Sequence, residues 1–188
     1  MGQTMKRNLS KLIVFTAVVA SAASLKAGVS PHETISATID GSKITITYGR
    51  PYSIKPGTTE VRKIWGGLVP YGKVWRTGAD AATVLTTEQS LVLGETTLPA
   101  GKYTLFTLPV ENGTPKLIIN KRTGQWGIPY DEKKEAENEL ARVDMKKETL
   151  DKDVDQFTMA IEPNPSGGGV LKMMWEKTQY LVTFTVKK

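Results

Sequence analysis

Apolar and polar residues alternate along most of the chain after residue 32, with the period of two that is typical of half-buried β-strands. ETISATID at 33–40 begins the pattern, and KITITY at 43–48 continues it. Asp40-Gly41 lies between the two stretches, and glycine there accepts the positive φ of a tight turn. These residues predict a β-hairpin.

The same alternation returns between residues 82 and 120, where turn residues such as Asn112-Gly113 separate the apolar stretches. It also fills the last third of the chain, in QFTMAIE, VLKMMWE and QYLVTFTV. We expect the apolar members of these last three stretches to face the core: Phe157, Met159, Ile161, Leu171, Met173, Trp175, Tyr180, Val182, Phe184 and Val186.

Residues 49–80 break the pattern, because they hold three prolines and six glycines. They predict one long irregular loop, with room for a short helical turn around 59–65. Residues 131–138 are rich in Glu, Lys and Ala and predict a short helix. Roughly nine short strands therefore predict an all-β, single-domain antiparallel β-sandwich, with a small barrel as the alternative.

The N-terminus has the features of a secretory signal peptide, which we assign to residues 1–27. Lys6, Arg7 and Lys11 precede a short apolar stretch, and small residues follow it. Residues 28–188 then form the mature β domain, with no membrane span after cleavage. The chain has no cysteine, so it has neither a disulfide nor a lipid-bearing thiol. We expect a periplasmic or secreted protein.

The charge does not favour nucleic acid as a partner. The formal net charge of +6 includes four basic residues before position 28, where there is no acid, so residues 28–188 carry only +2. Their lysines alternate with Asp and Glu rather than forming a basic face. The sequence does not identify a protein partner.

Several site chemistries lack the residues that they need. His32 is the only histidine, so the sequence predicts no metal and no cofactor. DKDVD at 151–155 has three carboxylates but lacks the glycine and distal Glu of a calcium loop, and we interpret it as a solvated loop. No GxSxG motif is present, and the GGG at 167–169 does not open a helix.

The irregular segment is the best candidate for a site, because it combines arginines with large aromatic rings. Arg50, Arg76 and also Arg62 offer planar donors to a carboxylate, phosphate or sugar hydroxyl. An alternative interpretation is that Arg76 pairs with Asp80 to staple the loop while Trp75 fills the core. The predicted ligand-binding residues are Arg50, Tyr52, Tyr71, Trp75, Arg76, Asp80, His32 and Trp126.

The motifs SPHETISATIDG, ITYGRPY, LVPYGKVWRTGADAAT, LPAGKYTLFTLP, LIINKRTGQWG and LKMMWE, in this order, resemble a bacterial family of unknown function, DUF2911. The resemblance covers the mature chain and implies no activity. Relatives often carry an acidic residue where this chain has Ala81, which leaves Asp80 as the local carboxylate. The family-like positions are His32, Arg50, Pro51, Tyr71, Gly72, Trp75, Arg76, Gly78, Ala79, Thr83, Gly101, Tyr103, Trp126 and Gly127.

Three functions compete. The first is an exported module that binds a small polar or anionic ligand in an Arg and aromatic pocket. The second is a structural or assembly component of the cell envelope, which would work through an edge strand or an exposed apolar face. The third is a hydrolase that uses Asp80, His32 and Arg76; it requires His32 within about 7 Å of the other two, since its contacts are direct or through one water.

Overall fold

The computed structural model describes residues 30–126 and 129–187. The predicted signal peptide and the family-like Gly127 lie outside these residues. The elements are β1 (His32–Ile39), β2 (Ser42–Gly49), β3 (Thr83–Thr87), β4 (Leu91–Leu93), β5 (Thr96–Leu98), β6 (Gly101–Leu108), β7 (Lys116–Asn120), α1 (Glu132–Glu135), β8 (Glu139–Asp144), β9 (Lys146–Pro163) and β10 (Gly169–Val186).

The strands form two antiparallel sheets, which confirms the predicted all-β sandwich. The first sheet has six strands in the order β1-β2-β3-β6-β7-β8, and the second has four in the order β5-β4-β10-β9. Across the described ranges the sheets do not close into a barrel, so the sandwich and not the barrel is the correct alternative.

The predicted first hairpin is present, with its register fixed by the turn. Ile39 pairs with Ser42 at the turn, and His32 pairs with Gly49 at the open end. Asp40 and Gly41 both have positive φ, at 48° and 85°. Because side chains alternate between the faces of a strand, the apolar residues of β2 at positions 44, 46 and 48 all enter the core.

The core between the sheets is filled largely by the long strand β10. Its first half buries Leu171, Met173 and Trp175, and its second half buries Tyr180, Val182 and Phe184. The buried positions change from odd to even because the register shifts between residues 174 and 178, where Glu176 has a φ of 51°. The bulge lets both halves of one strand bury their apolar residues.

A second, smaller cluster covers the outer face of the first sheet. Phe106 and Ile118 are fully buried there, and the Tyr130 ring lies 4.8 Å from the Phe106 ring, edge to face. Tyr130, which lies between β7 and α1, therefore packs on this face of the sheet.

Three sequence predictions differ from the structure. The helix is four residues long, with Asp131 as its N-cap, instead of spanning 131–138. DKDVD belongs to β9 and not to a loop, because an edge strand with exposed residues on both faces has no apolar period. Described residues 59–65 contain no helical turn; isolated bridges such as Ile54 to Val61 order the segment instead.

Candidate functional site

Residues 76–80, which we term the 76–80 turn, hold a strained backbone against the end of β2. Thr77 and Asp80 have φ values of 58° and 63°, which residues other than glycine rarely adopt. The turn packs so closely that a Cβ on Gly49 would lie 2.2 Å from the Ala79 carbonyl oxygen. Such strain persists only where the surroundings fix the backbone, and it is enriched at functional sites.

Buried hydrogen bonds fix this turn. The Thr77 and Thr107 hydroxyls are 2.7 Å apart, and the Thr83 hydroxyl donates to the Thr77 carbonyl at 2.6 Å. The Trp75 indole Nε1 donates to the Gly78 carbonyl at 3.1 Å. The turn is therefore a rigid platform rather than a flexible loop.

Trp75 lies inside the core. Only 9% of it is exposed, and its ring stacks on Trp175 with centroids 5.9 Å apart. Phe157 and Trp65 contact the same ring edge to face. This placement fits the interpretation that Trp75 fills the core and supports the turn from below, and it also puts Trp175 in the core as predicted.

His32 and Asp80 meet at one side of the turn. His32 begins β1, and its imidazole Nε2 lies 3.1 Å from the Asp80 carboxylate Oδ2. The side chains are 43% and 31% exposed, so both groups are reached by solvent. The contact satisfies the distance that the hydrolase hypothesis required between His32 and Asp80.

Arg76 differs from the other arginines of the irregular segment. Arg76 is half-buried. Among the described residues, no carboxylate oxygen lies within 4.0 Å of its guanidinium. The Nε atom is buried without a hydrogen-bond partner. Burial lowers the pKa of Arg76, and the negative charge of Asp80 raises it in part. A desolvated cation of this kind is suited to an anionic partner.

Gln125 contacts the chain just after the 76–80 turn, and Trp126 follows it in the sequence. The Ala82 amide donates to the Gln125 carbonyl at 3.2 Å, two residues after Asp80. The side-chain Oε1 of Gln125 is buried without a hydrogen-bond partner, whereas Trp126 is 63% exposed.

A buried carboxylate joins the end of α1 to the end of β7. Glu135 is 6% exposed and accepts hydrogen bonds from Asn120 Nδ2 at 2.9 Å and from Arg122 Nη1 at 2.7 Å. Because a buried carboxylate is costly unless it is paired, these two donors hold α1 against the end of β7.

Arg50 has a different environment, in which its donors are occupied. Its Nη1 lies 3.2 Å from Glu33, its Nη2 donates to the Thr158 hydroxyl at 2.9 Å, and its Nε donates to the Phe157 carbonyl at 3.2 Å. These partners belong to both sheets, so Arg50 joins β1 to β9.

Tyr48 completes this cross-sheet network. Its hydroxyl donates to Glu33 at 2.7 Å and accepts from the Met159 amide at 3.0 Å. Burial raises the pKa of the Tyr48 hydroxyl, and the hydrogen bond to Glu33 raises it further.

The remaining predicted residues lie elsewhere on the segment. Tyr52 forms an isolated bridge with Gln156, and Arg62 donates to the Tyr52 carbonyl. Tyr71 is half-buried, with the Lys147 ammonium 5.8 Å from its ring centroid. The structure thus brings His32 into contact with Asp80, and it places Arg76 close enough to Asp80 for the carboxylate charge to raise the pKa of Arg76.

Sequence reasoning missed Gln125 and Glu33. Both lie within family-like motifs, but neither was among the predicted site residues, because their contacts come from packing between distant segments. Gln125 precedes Trp126 in the GQWG motif, and this neighbour was the only available signal.

Comparison with known proteins gives a family but no activity. A family model described as "Protein of unknown function (DUF2911)" matches residues 30–184. Searches of curated proteins and of solved structures find no match. In the described ranges, no helix has the length and apolar character needed to cross a membrane. Nor do any three His, Asp or Glu side chains among those residues group closely enough to hold a metal ion.

Proposed function

Since the chain belongs to the DUF2911 family, which has no assigned function, we propose a function from the site: an exported module that binds a small polar or anionic ligand at the 76–80 turn. Arg76 supplies the cationic contact. His32 and Asp80 supply hydrogen bonds beside it. The ligand class comprises carboxylates, phosphates and sugar-like molecules.

The contrast between Arg76 and Arg50 carries this proposal. Arg50 has a partner for each of its guanidinium nitrogens, whereas Arg76 has no hydrogen bond or ion pair through its guanidinium to any described residue. A half-buried guanidinium loses hydration, and an anionic ligand would restore the lost interaction as charge-assisted hydrogen bonds.

Rigidity of the platform also favours binding. The strained 76–80 turn is fixed by Thr77, Thr83 and Trp75, so the side chains that would contact a ligand are ordered in advance. Preorganisation of this kind lowers the entropy cost of binding.

The proposal is tested by calorimetric titration of the mature chain with acetate, succinate, citrate, inorganic phosphate and glucuronate. We expect at least one of these anions to bind. Arg76→Ala should lower the affinity for that anion by roughly 10- to 100-fold, since a charged hydrogen bond contributes about 1.5–3 kcal/mol. Arg76→Lys keeps the charge but loses the planar fork, and should bind with intermediate affinity.

Arg142→Ala is the matched control, because Arg142 is paired with Glu139 and belongs to β8. It should leave the affinity unchanged. The proposal fails if none of the anions binds, or if the anion that binds does so equally well to wild type and to Arg76→Ala.

A hydrolase is the second candidate, and the contact between His32 and Asp80 favours it. The carboxylate at 3.1 Å orients the imidazole, which then acts as the general base that takes a proton from water. Arg76 would stabilise the negative charge that develops on the substrate.

This candidate is tested with p-nitrophenyl acetate, p-nitrophenyl phosphate and p-nitrophenyl glycosides. Turnover above background, which falls about 100-fold or more in His32→Ala, would support general-base catalysis. Turnover that is absent, or equal in wild type and His32→Ala, would exclude it.

A further inference from the structure

We infer that the ligand of the 76–80 turn is an acidic sugar: a ring with one carboxylate and several hydroxyls, held by Arg76, Asp80 and the exposed face of Trp126. This inference rests on the proposed function and narrows it to one class of ligand. It is drawn from the charge at the site, from the acceptor groups around it and from the exposed indole that follows Gln125 in the chain.

The position of Trp126 supplies the first argument. It is 63% exposed, although indole rings usually bury most of their area. It follows Gln125, whose carbonyl accepts from the Ala82 amide at 3.2 Å, and Ala82 is two residues after Asp80. A solvent-facing aromatic ring at this point of the chain suits a ligand with one apolar face and a polar rim, and the C–H face of a sugar ring has this character.

The charge at the turn supplies the second argument. The guanidinium of Arg76 contributes one positive charge, and the 31% exposed carboxylate of Asp80 contributes one negative charge beside it. Asp80 would repel a phosphate dianion more strongly than a carboxylate, which carries a single negative charge. A single carboxylate on the ligand matches the single cation.

The acceptors of the site supply the third argument. A carboxylate such as that of Asp80 only accepts hydrogen bonds, so the ligand must also donate. Gln125 Oε1 is a further acceptor without a partner, and Arg76 Nε is a donor without one. Sugar hydroxyls donate and accept at the same time, which a simple carboxylate such as acetate does not do.

The test compares ligands that each lack one of these features. Glucuronate, galacturonate and N-acetylneuraminate have the ring and the carboxylate; glucose lacks the charge, acetate lacks the ring, and inorganic phosphate replaces the carboxylate. We expect at least one acidic sugar to bind about tenfold more tightly than glucose, acetate or phosphate, which is the ratio that about 1.4 kcal/mol gives.

Variants of Trp126 separate stacking from charge recognition. Trp126→Ala should lower the affinity for the acidic sugar about tenfold, because stacked aromatic contacts contribute about 0.5–1.5 kcal/mol. The affinity for acetate should stay unchanged. Trp126→Phe keeps an aromatic face and should retain most of the affinity. Since Trp126 is exposed, neither variant should alter the circular dichroism spectrum or the urea midpoint.

Each failure has a distinct meaning. If acetate or phosphate binds as tightly as every acidic sugar, or if Trp126→Ala binds the sugar as wild type does, the inference is wrong while the anion site stands. If no anion in the panel binds, both the inference and the proposed function are wrong. If glucose binds as tightly as the acidic sugars and Arg76→Ala has no effect, the site does not recognise charge, and both the inference and the proposed function are wrong.

Discussion

The imidazole of His32 lies 3.1 Å from the Asp80 carboxylate although 48 residues separate them in the chain. The hairpin register places His32 opposite Gly49, and the missing side chain of Gly49 lets the Ala79 carbonyl approach the end of β2. The site is therefore assembled where one hairpin ends and the 76–80 turn packs against it. Substitutions at this packing contact should disturb both stability and binding.

Gly49→Ala should lower the free energy of unfolding by about 3 kcal/mol or more, since the new methyl group would lie 2.2 Å from a backbone oxygen that cannot rotate away. Urea unfolding measures this loss. Gly94→Ala is the control: nothing lies within 4 Å of the added Cβ, and its φ of 57° accounts for a loss of only about 1 kcal/mol. Equal losses in the two variants would contradict the close packing of Ala79 on Gly49.

Asp80→Gly should be more stable than Asp80→Ala by about 1 kcal/mol, because residue 80 has a φ of 63°. Both variants remove the carboxylate and its contact with His32, so the difference between them isolates the backbone strain. Urea midpoints at one pH provide the comparison. If the alanine variant is at least as stable as the glycine variant, the left-handed conformation at residue 80 is not enforced.

The sequence predicted most strands because their faces differ in polarity. β2 and both halves of β10 alternate between core and solvent, and that alternation is visible in the residues themselves. The first part of β9 does not alternate, since it forms a sheet edge with exposed polar residues on both sides. Edge pairing depends on the neighbouring strand, and no local pattern reports it.

The site was predicted only in part, for a similar reason. Residue type and the family motifs indicated His32, Arg76 and Asp80, but they indicated Arg50 equally well. What separates Arg50 from Arg76 is the partner Thr158, which is 108 residues away from Arg50 in the chain. Hydrogen bonds between distant strands depend on the topology, so spacing in the sequence cannot distinguish an arginine whose donors lack partners from one that joins two sheets.

Arg50→Ala should lower the free energy of unfolding by about 3 kcal/mol, because it removes two hydrogen bonds of a charged group and leaves Glu33 without its cation. Chemical denaturation measures the change. Lys55→Ala, which breaks an exposed pair with Glu60, should cost about 0.5 kcal/mol or less. A loss for Arg50→Ala as small as this control would show that Arg50 does not join the sheets, and would return it to the candidate ligand contacts.

Tyr130 should make the fold sensitive to alkaline pH. Burial of the Tyr130 hydroxyl, together with the negative charge of Glu139 at 3.1 Å, raises its pKa from the ordinary value of 10.0 to about 12. The folded chain then holds this proton more tightly than the unfolded chain does. The resulting stability is complete below pH 10 and is lost as the pH rises from 10 toward 12.

Tyr130→Phe removes this titration, so its urea midpoint should fall less steeply than that of wild type when measured at pH 9, 10 and 11. Some slope should remain, because burial also raises the pKa of Tyr48 and of Tyr180. Below pH 9, where this tyrosine stays protonated in both the folded and the unfolded chain, the variant should be less stable by about 1 kcal/mol, owing to the lost hydrogen bond to Glu139. Parallel midpoint curves for the two proteins between pH 9 and 11 would show that Tyr130 titrates alike in the folded and unfolded chains.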